Sequence, residues 1–71
     1  MKPLSAKKLI VVLESNGFLF SRSKGSHMIY INSRNGAMVP VPLHGLSRPI
    51  PIGTFLSIVK QSRLPKKEFG E

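Results

Sequence analysis

The stretch HMIYINSRNGAMVPV, His27 to Val41, decides the fold. A short apolar run from about His27 to Ile31 is followed by the turn formers around Asn35-Gly36, and a second apolar run spans Ala37 to Val41. Two extended runs separated by turn residues predict a β-hairpin. Asn-Gly suits the two-residue type I′ turn, whose central positions both need positive φ. Pro40 and Pro42 have no N–H to offer a neighbour, so the later strand of this pair is expected at an edge of its sheet.

Working back towards the N-terminus, Phe18, Leu19 and Phe20 read as a preceding strand, broken by the polar stretch Ser21 to Ser26. A three-stranded antiparallel meander results. Before it, Ser5 is a good N-cap, and Leu9, Val12 and Leu13 recur at the spacing of one helix face. Asn16-Gly17 closes that helix, with Phe18 placed to fold back on Leu13 as in a Schellman termination. Towards the C-terminus, Leu43 to Pro51 carries Gly45, Pro49 and Pro51 and reads as an irregular connection. Phe55, Ile58 and Val59 restore helical spacing, so a second helix is expected to open near Gly53-Thr54 and fray past Gln61. Pro65 to Glu71 mixes charge with turn formers and is expected to be mobile or loosely packed. The prediction is a single α+β domain over residues 1–71, ordered α-β-β-β-α, with both helices on one face of the sheet.

The chain has 71 residues, room for one core and no second domain. Eleven Lys and Arg against three acids give a net charge of +8, dispersed along the chain, which attracts polyanions. Nucleic acid or an acidic protein is the expected partner, unless the charge serves solubility alone. Cysteine is absent, so disulfides and thiolate metal sites are excluded, and a reducing cytoplasm fits. No apolar run approaches the roughly 20 residues that span a bilayer, so no membrane role is expected.

The acids are Glu14, Glu68 and Glu71, with no Asp anywhere. Neither a two-metal nuclease site nor a carboxylate-assisted Ser-His relay can be assembled from so few carboxylates. No metal and no cofactor is expected. What remains is acid–base chemistry by His27 or His44, supported by cations that stabilise charge on a phosphate. RNA suits such chemistry because its 2′-hydroxyl is an internal nucleophile that DNA lacks. His27, beside Lys24-Gly25-Ser26 and near Arg22, is the candidate base or acid; by position alone it reads more readily as a structural or merely exposed histidine. Gly25-Ser26 is either a small phosphate-binding nest or an ordinary turn. His44 is a second acid–base group or a loop-capping side chain, and Tyr30 either stacks on a base or is buried. Lys7 and Lys8, in the first turn of a helix where their charge opposes the dipole, are RNA-binding candidates or solvated lysines. Lys66-Lys67 reads as a soluble tail or a backbone-phosphate contact.

Several segments taken together resemble one family: Asn16-Gly17-Phe18, Lys24-Gly25-Ser26-His27, Asn35-Gly36, Val39-Pro40, and Gly53-Thr54 opening a helix that carries Ile58 and Lys60-Gln61. In that order and at that spacing, from Ser5 to about Glu68, the chain is similar to the HicA family. The resemblance implies a double-stranded-RNA-binding-like fold and an mRNA interferase toxin of a toxin–antitoxin pair, neutralised by an acidic HicB-type antitoxin. It also implies that His27 carries the activity without a metal, and that the free toxin is a monomer acting on mRNA. Pro42-Leu43-His44-Gly45 departs from the usual Pro-x-His loop of such proteins. The alternatives are a non-enzymatic RNA-binding module of the same fold, or a basic domain that binds protein alone.

Overall fold

A computed structural model describes residues 1–43 and 45–70. The two roles weighed for His44 therefore fall outside the described residues.

The Ser5 hydroxyl accepts a hydrogen bond from the Lys8 N–H at 3.2 Å, capping α1 (Ala6–Ser15). Ala6, Leu9 and Leu13 of this helix are buried, and Val12 packs against them from the margin. The helix ends as expected: Gly17 sits at φ 92° and its N–H donates to the Glu14 carbonyl at 3.4 Å. Phe18 then enters both the core and the sheet.

The sheet is the expected antiparallel meander, β1 (Phe18–Lys24), β2 (His27–Asn32) and β3 (Met38–Pro42), with β3 at an edge. Two details differ from expectation. First, β1 does not stop at Phe20. It continues to Lys24 past a bulge at Ser21, because Phe20 pairs with Tyr30 and Arg22 already with Ile29. Second, Asn35-Gly36 is not a two-residue type I′ turn. Only Gly36 of the pair has positive φ, at 72°. The Asn32 carbonyl accepts from the Gly36 N–H at 2.8 Å while the Asn32 N–H donates to Ala37 at 2.9 Å, so two residues oppose one, as in a glycine bulge. Asn35 is instead occupied by side-chain bonding: its Oδ1 accepts from the Ala37 N–H at 2.8 Å and its Nδ2 donates to the Ser62 carbonyl at 3.2 Å.

Both helices cover one sheet face, as expected. Phe18, Tyr30, Val39 and Val41 look towards α1 and α2 (Ile52–Ser62) and join Leu9, Leu13, Phe55 and Ile58 in the core. α2 begins at Ile52, a residue or two before the expected Gly53-Thr54, and ends at Ser62, where Arg63 takes a left-handed conformation. No helix among the described residues is long and apolar enough to cross a membrane.

The segment after Pro65, expected to be loosely packed, forms a short 3-10 helix over Lys66–Phe69. Phe69 is buried, edge-to-face with Phe55 at a centroid separation of 6.1 Å. One aromatic anchor therefore docks an otherwise polar segment on the core.

Candidate active site

The loop between β1 and β2 is a tight turn. Lys24 and His27 are cross-strand partners, leaving only Gly25 and Ser26 between them. Gly25 takes φ 59° while Ser26 does not have positive φ, the pattern of a type II′ turn, which calls for glycine at its first central position. The Leu43 N–H donates to the Ser26 carbonyl at 2.8 Å, tying the turn to the chain just beyond β3. Lys24-Gly25-Ser26 is thus a hydrogen-bonded corner.

Strand alternation then decides which side chains gather there. Phe18 and Phe20 lie on the helix side of β1, so unbroken alternation would direct Arg22 and Lys24 there too. The extra residue at Ser21 reverses the parity. Arg22 opposes Ile29 and Lys24 opposes His27, so all four share the sheet face that no helix covers. Side chains directly opposite on such a face stand about 5 Å apart at Cβ. His27 is exposed in the central strand, with Lys24 on one side and Pro42 on the other. Arg22 is exposed as well, and its guanidinium donates to the bulge hydroxyl of Ser21 at 3.4 Å.

The same uncovered face carries Leu19, Ile31, Met38 and Pro40. Ile29 is buried yet lies outside the main core cluster, so it is covered by its neighbours on the open face. This half-apolar surface beside the basic corner was not recognised from sequence. Its signal was the apolar character of both parities in β2.

Of the other residues singled out, Lys7 and Lys8 are exposed on α1, in the helix layer. They are not on the face of His27, but they lie at the same end of the molecule. α1 runs antiparallel to β1 through a two-residue connection, and the Lys7 N–H donates to the Leu46 carbonyl in the loop that leaves β3. The α2 N-terminus follows that same loop, and the C-terminal Ser62 is held by Asn35 at the opposite end. Both helix N-termini, the positive ends of their dipoles, therefore point towards the His27 end of the sheet. Tyr30 faces the helices, buried and edge-to-face with Phe20 at 5.9 Å, and does not present its ring to a base. Burial, with a smaller contribution from Glu14, raises its phenol pKa. Lys66 and Lys67 are exposed on the 3-10 helix.

An α-β-β-β-α meander with both helices on one face is the layout of a double-stranded-RNA-binding-like domain. A family model described as HicA toxin of bacterial toxin-antitoxin matches residues 6–64, and the chain belongs to that family. No curated protein matches it. Membership makes the chain the toxin of a toxin–antitoxin system, with a HicB antitoxin as its partner.

Proposed function

We propose that the chain is an endoribonuclease acting on mRNA in the cytoplasm, in which His27 moves the proton and no metal takes part. The observation that carries this reading is the cluster at the first hairpin. An exposed imidazole stands directly opposite Lys24 with Arg22 two residues along the same face. The chemistry is transesterification. His27 takes the proton of a 2′-hydroxyl as that oxygen attacks the neighbouring phosphorus, or gives a proton to the departing 5′-oxygen. Lys24 and Arg22 offset the charge that accumulates on the non-bridging oxygens, with the backbone at Gly25-Ser26 close by. Lys7 and Lys8 extend the positive surface around the corner, where they hold flanking phosphates without entering the chemistry.

The carboxylate supply supports the absence of a metal from this mechanism. Glu14 lies in α1 and Glu68 in the 3-10 helix, both outside the hairpin. The free toxin is read as a monomer, and the acidic antitoxin as the protein that silences it. The test is cleavage of single-stranded RNA by the purified chain in the presence of a chelator. Strand scission of RNA, and none of an all-deoxy strand of the same sequence, is the expected result. Cleavage that requires added divalent ion, or that proceeds on the all-deoxy strand, overturns the mechanism.

A further inference from the structure

We propose that the outer edge of β1 is a docking strand, to which an acidic protein partner adds an extended segment of its own. The two edges of the sheet are unlike. β3 is interrupted as a template by Pro40 and Pro42, which lack an N–H. β1 carries seven residues, Phe18–Lys24, without proline, and every one after Phe18 is exposed. Among the described residues no strand pairs with its outer side. Such an edge is a ready template for another chain, and proteins usually block it.

Its side chains indicate what it accepts. Leu19 is 72% exposed on the open face and Phe20 is 52% exposed on the other, so an added strand would cover an apolar side chain on each face. Beyond the bulge come Arg22 and Lys24, which call for acidic residues on the incoming segment. A second copy of this chain is disfavoured because two bodies of net charge +8 repel. An acidic polypeptide satisfies both the backbone and the charge.

The proposal takes the identity of its partner, the HicB antitoxin, from family membership. It rests on the proposed function for its consequence: an added strand covers the two cations that flank His27 and so blocks the phosphate path without occupying the imidazole.

A proline tests it. A two-residue turn makes the flanking pair, Lys24 and His27, exchange both backbone hydrogen bonds. Alternation then turns the Ser23 N–H and C=O outwards. Ser23→Pro removes an N–H that the sheet does not use and places a ring in the path of an added strand. Titration of the purified chain with its co-expressed HicB antitoxin is expected to show about tenfold or more weaker binding for this variant. RNA cleavage without antitoxin is expected to be unchanged. Hydrogen exchange on the wild-type complex is a second measurement that does not depend on the variant folding, and the Ser23 amide should slow on binding. Unchanged exchange at β1, or full-affinity binding by a folded Ser23→Pro chain, overturns the proposal. So does a stable dimer of the toxin alone that protects the same amides. Failure of the nuclease reading would show separately, as no RNA cleavage by the toxin while the binding results stand.

Discussion

Lys24 and His27 face each other across the first hairpin, an amine opposite an imidazole on the face of the sheet that no helix covers. The pairing separates two contributions that a sequence places side by side. His27→Ala should leave RNA affinity nearly intact and lower the cleavage rate by about 10²–10⁴. Because His27 is exposed, its removal opens no core cavity, and the melting temperature should hold within a few degrees. Measuring rate, affinity and melting on one preparation distinguishes this from a structural histidine, whose loss would lower all three.

Lys24→Ala and Arg22→Ala should lower both RNA affinity and turnover, because each cation meets the phosphate before and during charge build-up. Each neutralised phosphate on a single strand contributes about −0.7 to the slope of log affinity against log salt. Each substitution should make that slope shallower by roughly this amount. A slope unchanged in both variants would remove these side chains from the RNA interface.

The bulge at Ser21 leads to an unusual expectation. Deleting Ser21 leaves Phe20 opposite Tyr30 and Arg22 opposite Ile29 in regular alternation, so Arg22 and Lys24 keep their face. The deletion should fold and cleave RNA at close to the parent rate. Inserting one residue after Ser21 while the bulge persists would turn both cations towards the helices and should abolish activity. Equal losses in the deletion and the insertion would show that the bulge serves some purpose other than parity.

Phe69→Ala should destabilise the chain by about 3–5 kcal/mol, since a fully packed aromatic leaves a cavity against Phe55. For a small domain that is a large share of the whole folding free energy. Urea unfolding reads it directly. A change below about 1 kcal/mol would mean that the segment after Pro65 contributes little in solution.

The raised pKa of Tyr30 makes a signed prediction. A phenol that ionises less readily when folded contributes stability below its unfolded pKa of about 10, and that stability is lost as pH rises through the folded value. Stability should therefore decline in alkali, and Tyr30→Phe should flatten the decline. A parallel alkaline profile in the variant would assign the effect to other groups.

Much of this was legible beforehand. The helices announced themselves because Leu9 and Leu13, and Phe55, Ile58 and Val59, keep one period, and Pro40 and Pro42 marked the edge strand. What escaped were the places where a local pattern lost to a tertiary bond. Asn35-Gly36 has the composition of a two-residue turn, but the Asn35 side chain bridges to Ser62 at the end of a distant helix. The second half of β1 was hidden by the single extra residue at Ser21, which breaks the alternation that sequence reading depends on. Phe69 was one apolar residue among charges, with no period to reveal its destination. At the site, Gly25-Ser26-His27 was visible as a motif, while the parity that places Arg22 and Lys24 on its face was visible only in the strand register.

The closed corner at Gly25-Ser26, held by the Leu43 N–H, sits at one end of the sheet, and the network of Asn35, Ser62 and Arg63 fastens the other. On the proposed function, the reacting corner and this fastening network lie at opposite poles of a very small molecule. A chain disarmed at His27 should keep the shape of the armed one, and so should still engage an antitoxin that recognises shape and charge. In a cell carrying both, the harmless copy would draw antitoxin away from the harmful one: a point substitution at this corner is expected to behave as a decoy that releases poison, not as a simple loss.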